Sequence, residues 1–137
     1  MKYTAMLILT LTMCTFSSQA IDLMVVANTD ITDINVKKRE VRDIFMGSSS
    51  QFPLKPVALT PDSEARLIFN TKIVGLTESR IQSYWAQMRF SGRKKPPIEF
   101  DSVESLLTFM INNQGTIAYL PSNTKLPTGF TVIYRTE

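Results

Sequence analysis

Residues 57–66 read VALTPDSEAR, a short apolar run that passes directly into the first turn of a predicted helix. A strand that leads into a helix is the repeating step of α/β proteins, and a helix N-terminus is a common place for an anion to bind. The stretch has no glycine, which phosphate-binding loops use to bring their backbone close to the ligand. It also has two acidic residues, Asp62 and Glu64, in the first turn. These residues therefore indicate the fold class more clearly than the ligand.

Apolar periodicity on either side of this stretch predicts further strands and helices. Strands are predicted at 22–28, 57–59, 116–120 and 130–134. The first helix is expected to be capped by Asp33 or Asn35 and to end at Gly47, and the second to run from Thr60 to near Gly75. The third is expected to be capped by Thr77 and to end at Gly92, and the fourth to be capped by Asp101 and to end at Gly115. Because strands and helices alternate, the predicted fold class is α/β, with a mixed sheet flanked by helices.

The inward faces of these helices follow from the spacing of their apolar residues. The residues assigned to them are Val41, Ile44 and Phe45 in the first helix, Ala65, Ile68, Phe69 and Ile73 in the second, Ile81, Tyr84, Trp85 and Met88 in the third, and Val103, Leu106, Leu107, Met110 and Ile111 in the fourth. Tyr84 and Trp85 are thus interpreted as core residues rather than as a stacking platform. Glu104, three residues after Asp101, is typical of a capping box.

The five glycines argue against two common nucleotide-binding loops. Four of them follow predicted helices, and the fifth, Gly129, precedes a predicted strand. No glycine remains for a G-x-G-x-x-G fingerprint or a Walker loop, so nucleotide binding of those types is not expected.

Residues 1–20 have the pattern of a secretory signal peptide. Lys2 precedes an apolar stretch from Ala5 to Phe16, and the following residues 17–20 suit cleavage after Ala20. We expect an exported, periplasmic product that forms one domain from 21 to 137. The alternative is an uncleaved membrane anchor, for which the apolar stretch is short. A lipoprotein is disfavoured, because Met13 stands where a small residue would precede Cys14.

The expected mature chain offers few catalytic side chains. The sequence has no histidine, and its one cysteine, Cys14, lies in the signal segment. These absences remove Cys–His nucleophile pairs, the usual zinc ligand sets and intramolecular disulfides. Without Lys2, 14 basic and 12 acidic residues leave a net charge of +2, which does not favour nucleic acid as a partner. We expect no enzyme activity, no cofactor and no metal.

Three passages resemble a known family. They are VVAN at 25–28 followed by REVRDIFMG at 39–47, the stretch from Tyr84-Trp85 through Gly92 to Lys95-Pro96-Pro97, and QGTIAY at 114–119. They are similar to periplasmic phosphate-binding proteins of ABC transporters and to short, exported, single-domain relatives of them. The resemblance covers nearly all of residues 21–137. It implies a single lobe of a type 2 periplasmic-binding-protein-like fold, where the full-length family has two lobes that close over phosphate.

The same resemblance places the anion site of the family at residues 60–66. The family has an Arg-x-Asp-Gly-Ser-Gly-Thr turn there, of which Asp62 alone is matched, since Thr60 replaces the arginine and Ser63 the first glycine. The predicted ligand-binding residues are Asn28 and Thr29, at the end of the first strand, with Thr60, Asp62, Ser63 and Arg66. The donors would be main-chain N–H groups and the two hydroxyls, helped by the arginine. The alternative is that residues 60–64 only cap a helix.

Two functions from different classes remain open. One is an exported solute-binding protein that binds phosphate or a similar oxyanion for uptake or sensing, with a transporter as partner. The other is a non-catalytic envelope interaction or sensing module that has kept the fold and lost phosphate binding. Arg89, Arg93, Lys94 and Lys95 are either a solvated loop or a docking surface for an acidic partner or an anionic envelope polymer. A homodimer that supplies a second lobe is a further alternative.

Overall fold

Strands and helices alternate through residues 21–137, the part of the chain that the computed structural model describes. The elements are β1 Leu23–Asn28, α1 Lys38–Phe45, β2 Lys55–Leu59, α2 Glu64–Phe69, α3 Glu78–Phe90, β3 Ile98–Phe100, α4 Val103–Ile111, β4 Thr116–Pro121 and β5 Phe130–Arg135. A π-helical turn, Asn70–Val74, continues α2 without a break. The predicted signal peptide, its cleavage after Ala20, and Cys14 lie outside the described residues.

The five strands form one mixed sheet in the order β3-β2-β4-β1-β5. β2 runs parallel to β3 and β4, whereas β1 runs antiparallel to both of its neighbours, β4 and β5. Helices α1, α2 and α4 contact these strands. The predicted α/β class, with a mixed sheet flanked by helices, is confirmed.

The first strand lies at the centre of the core. Its residues from Leu23 to Ala27 are at most 2% exposed. At the start of the strand, the Leu23 N–H donates to Thr136 Oγ1 at 2.8 Å, and the Thr136 N–H donates to the Leu23 carbonyl at 2.9 Å. These two hydrogen bonds fasten the beginning of the described domain to its end.

The predicted inward faces are mostly buried. Every residue assigned to them in α1, α2 with its π-helical turn, and α3 is buried or half-buried, including Tyr84 and Trp85. In α4, Leu106 and Met110 are fully buried, but Ile111 is 55% exposed, so that assignment is wrong. Ile111 lies about 100° around the helix axis from Met110 and is therefore not on the buried face of α4.

The predicted starts of α1 and α4 are wrong. α1 begins after Lys37 rather than after Asp33 or Asn35, because the preceding chain first buries Val36, which is 3% exposed. α4 begins after Ser102 rather than Asp101, since Ser102 Oγ accepts from the Ser105 N–H at 3.1 Å. Glu104 is therefore the second residue of α4, not the third. The prediction that Thr77 caps α3 is confirmed, because its Oγ1 accepts from the Arg80 N–H at 3.4 Å.

The short strand β3 is absent from the sequence-based prediction, and β2 begins two residues earlier than predicted. β3 has three residues, two of them exposed, so it lacks the apolar run that marks the other strands. Gly75 ends the π-helical turn with a φ of 74°, a conformation that favours glycine. None of the helices within residues 21–137 is long and apolar enough to cross a membrane.

Candidate functional site

The turn between β2 and α2, at residues 60–63, is shaped by the neighbouring strand β3. The Thr60 N–H donates to the Phe100 carbonyl at 3.0 Å, so Thr60 still belongs to the sheet. The Ser63 N–H donates to the Thr60 carbonyl at 3.0 Å, and Ser63 Oγ accepts from the Arg66 N–H at 3.4 Å. The prediction that the helix begins at Thr60 is wrong, because Ser63 is the cap. Asp62 and Glu64 are exposed.

Arg66 points from the first turns of α2 into the protein and is 7% exposed. Its guanidinium forms a bidentate pair with Glu78, with Nε–Oε2 and Nη2–Oε1 distances of 3.0 and 2.8 Å. Nη1 donates to the Leu59 carbonyl at 2.8 Å and lies 3.7 Å from Glu99 Oε1. All three guanidinium nitrogens therefore have partners within the protein.

Glu78 is the acidic centre of this cluster. Besides Arg66, its carboxylate accepts from Asn70 Nδ2 at 2.6 Å and from Gln82 Nε2 at 2.7 Å. Burial opposes ionisation, but the hydrogen bonds from Gln82, Arg66 and Asn70 outweigh it and lower the pKa of Glu78 below its ordinary value. The carboxylate of Glu78 thus stays charged and compensates the positive charge of Arg66.

Tyr119 closes the gap between β2 and β4, which are paired only at Lys55 and Pro56. Its hydroxyl accepts from the Leu59 N–H at 3.2 Å and donates to the Leu59 carbonyl at 3.3 Å. Burial raises the pKa of Tyr119 to about 12. Its ring stacks on Phe69, with ring centroids 4.0 Å apart. The tyrosine therefore fills the space beside the carboxyl end of β2.

A small cavity remains beside this cluster. It has a volume of about 40 Å³, and Arg66, Glu99, Tyr119 and Trp85 are among its lining residues. That volume holds roughly three water molecules. Within residues 21–137, no group of three or more His, Cys, Asp or Glu side chains is placed to hold a metal ion.

The predicted ligand-binding residues fall at two opposite ends of the sheet. Thr60, Asp62, Ser63 and Arg66 lie together after the end of β2. Asn28 instead pairs with Thr116, which pairs with Lys55 at the beginning of β2. Asn28 Nδ2 donates to the Met110 carbonyl at 2.7 Å, and Thr29 Oγ1 accepts from the Ile31 N–H at 3.2 Å. One ligand of phosphate size cannot touch both groups.

Sequence reasoning missed Glu78, Glu99 and Tyr119. One signal was available, because Arg66 shares the i, i+3, i+7 face of Phe69 and Ile73, which the periodicity places inside. Since an arginine is almost never fully buried unless it is paired, this position predicts a buried acidic partner. The identity of that partner depends on packing between elements that are distant in sequence.

A second charged region lies at the end of α3. We call residues 89–95, with Arg89, Phe90, Arg93, Lys94 and Lys95, the basic loop. All five side chains are exposed, and Phe90 is 97% exposed. Within the described part of the chain, no carboxylate lies within 4.0 Å of these four cations. The loop borders a groove of about 400 Å³ whose other walls include Gly47, Phe52 and Pro56.

Two solved structures of phosphate receptors have a similar fold. An ABC-type phosphate transport receptor from Vibrio cholerae matches with a TM-score of 0.60 and 14% sequence identity, over 82% of this chain and 46% of the receptor. PstS from Borrelia burgdorferi matches with a TM-score of 0.52 and 9% identity, over 74% of this chain and 42% of that protein. The chain thus spans less than half the length of either structure. No protein-family model and no curated protein matches it.

The similarity covers most of this chain, and the identities are too low to transfer the ligand. The resemblance seen in the sequence is confirmed at the level of fold, and the chain shares its fold with part of each of these two receptors.

Proposed function

We propose that this chain is a non-catalytic interaction module of the cell envelope, which uses the solute-binding fold as a scaffold and does not hold phosphate at residues 60–66. The observation that supports this function is the pairing of Arg66. It is the charged side chain of the predicted site that an oxyanion would need, and it already has a bidentate carboxylate partner in Glu78.

A phosphate at this turn would have to compete with two carboxylates of the protein. Displacing Glu78 from the arginine would leave a partly buried negative charge next to an incoming anion, and Glu99 would add a second, exposed one. Breaking a fully buried pair costs about 3 kcal/mol or more, and the cost here is smaller because the Glu78 side chain is 29% exposed. The exposed carboxylates of Asp62 and Glu64 at the same helix start add further repulsion.

The test is a calorimetric titration of the purified protein with inorganic phosphate. We expect no binding heat below millimolar phosphate. The double variant Glu78→Gln/Glu99→Gln removes both carboxylates from Arg66 and should gain measurable affinity. The matched control is Asp62→Asn/Glu64→Gln, which removes the same charge from the same region but leaves Arg66 paired, and it should gain much less.

The second candidate is oxyanion binding for uptake or sensing, with a transporter as partner, and the similarity to two phosphate receptors favours it. In this case the donors are other main-chain N–H groups of the turn and the hydroxyls of Thr60 and Ser63, with Asp62 and Arg66 beside them. Micromolar phosphate binding by the unmodified protein, lost in Thr60→Ala/Ser63→Ala, would establish this candidate and refute the interaction module.

A further inference from the structure

We propose that the basic loop binds the surface of an anionic lipid bilayer, with Phe90 inserted among the lipid chains and the four cations against the headgroups. The proposal rests on the proposed function in one respect, since it names the envelope component that the interaction module contacts. Arg89 also lines the small cavity beside Arg66, but the other residues of the basic loop do not, so variants of those residues test the lipid contact independently.

Phe90 is the first reason for this assignment. It is the last residue of α3, and at 97% exposure its ring has almost no contact with the rest of the described chain. The other exposed large apolar side chains are less accessible, with Leu67 at 63%, Ile111 at 55%, Ile98 at 50% and Ile31 at 39%. An aromatic ring held fully in water gains free energy from any apolar environment that it can enter.

The cations around Phe90 are the second reason. Arg89, Arg93, Lys94 and Lys95 are exposed, and residues 86–97 contain no acidic residue. The Lys94 stem lies against Gly47, where a Cβ would meet its Cδ at 3.0 Å, so that side of the loop is anchored to the body of the protein. Four positive charges thus lie within five residues of Phe90 in the chain. Basic residues beside an exposed aromatic side chain are the combination that binds anionic bilayers.

The same features fit a bilayer better than a protein partner. Protein interfaces are depleted in lysine and place their aromatic residues in a shaped apolar core with mixed polar surroundings. The basic loop has charges of one sign and a single apolar residue, Phe90. A surface of uniform negative charge above an apolar layer is complementary to this pattern without any shaped pocket.

Vesicle co-sedimentation with the purified protein tests the proposal. The probes are vesicles of phosphatidylcholine alone and of phosphatidylcholine with one quarter phosphatidylglycerol, each in 50 mM and 500 mM salt. We expect at least about tenfold tighter binding to the anionic vesicles in low salt, and a large loss in high salt because the charges are screened.

Two pairs of variants locate the contact. Arg93→Ala/Lys95→Ala should weaken binding by roughly 25-fold, at about fivefold for each charge near the surface. Its matched control, Lys38→Ala/Arg39→Ala, removes the same two charges from exposed positions on α1 and should change binding less than twofold. Phe90→Ala should weaken binding roughly tenfold, whereas Ile111→Ala, at another exposed apolar position, should not.

Several results would overturn the proposal. They are the absence of binding to the anionic vesicles, equal binding to neutral vesicles, an equal loss in the α1 control, or binding to an acidic peptide without binding to vesicles. If vesicle binding and phosphate heat are both absent, the lipid assignment fails and the proposed function stands. If the protein binds both vesicles and micromolar phosphate, the lipid contact stands and the loss of phosphate binding is refuted.

Discussion

The Arg66 cluster and the basic loop contain the same kind of charge in opposite surroundings. Arg66 is buried and has a partner for each guanidinium nitrogen, whereas the cations of the basic loop are exposed and have no carboxylate of the described chain within 4.0 Å. The first arrangement makes the arginine part of the structure, and the second leaves the cations available to something outside. The capacity to bind an external anion therefore depends on how fully a cation is already paired, more than on its place in a fold.

The largest expected difference between the two regions is in how much their arginines contribute to the free energy of unfolding. Arg66→Ala removes the partner of Glu78 and one partner of the Leu59 carbonyl, so we expect the free energy of unfolding to fall by about 3 kcal/mol. Arg89→Ala, in the basic loop, should change it by less than about 0.5 kcal/mol. Urea denaturation followed by circular dichroism measures both. A loss at Arg66 as small as the one expected at Arg89 would show that Arg66 is not a structural residue.

The next largest expected loss of stability is at Tyr119. Tyr119→Phe leaves the Leu59 N–H without its partner in a buried place, which should cost about 2 kcal/mol. The matched control is Tyr134→Phe, at a half-buried position on β5. Its loss should be less than about 0.5 kcal/mol by the same denaturation assay. A larger loss at Tyr134 would contradict the assignment of Tyr119 as the residue that closes the gap between β2 and β4.

Two serines, one in each region, extend the comparison to a smaller expected loss of stability. Ser63→Ala removes the cap of α2 and should cost about 1 kcal/mol. Ser91→Ala, inside the basic loop, removes a hydroxyl that donates to the Met88 carbonyl in an exposed place, and its effect should stay within about 0.5 kcal/mol. Comparing the thermal unfolding of the two variants would show whether the turn at residues 60–63 stabilises the folded protein.

The smallest expected effect is the pH dependence from Glu78. Its pKa is lower in the folded protein than in the unfolded chain, so its contribution to stability is complete above pH 4.5 and is lost as the pH falls through the folded-state pKa. The stability difference between the unmodified protein and Glu78→Gln should therefore shrink on acidification below pH 4.5. The exposed Glu64→Gln is the control. A constant difference from pH 7 to pH 3 would contradict the pairing.

Local signals in the sequence predicted much of the fold. The apolar stripe of α3 placed Ile81 and Trp85 inside, and Thr77 marked its start, because both signals depend on residues within one or two helical turns. The helix starts at Ser63 and Ser102 were harder to predict. In each case another residue nearby was also a good cap, and at Ser63 the choice was made by a distant contact. Thr60 is held in the sheet by Phe100 of β3, a strand too short and exposed to be predicted.

The candidate site was less predictable than the fold. Grouping Asn28 with Thr60 assumed that the first two strands run in the same direction, but β1 is antiparallel to the strand that lies between them. A short apolar run has no signal for strand direction. The partners of Arg66 come from α3 and β3, which only the folded topology brings next to α2.

The position of β1 has a consequence for the order of folding. This strand is made before all the other described elements, yet its two neighbours, β4 and β5, are made last, and Thr136 completes the hydrogen bonds of Leu23 across 113 positions of the chain. Contacts so distant in sequence carry a high loop-closure cost and slow the search for the native state. The sheet around β1 therefore cannot be completed until residues 116–136 have been synthesised, and until then the most apolar strand of the described residues lacks its permanent neighbours.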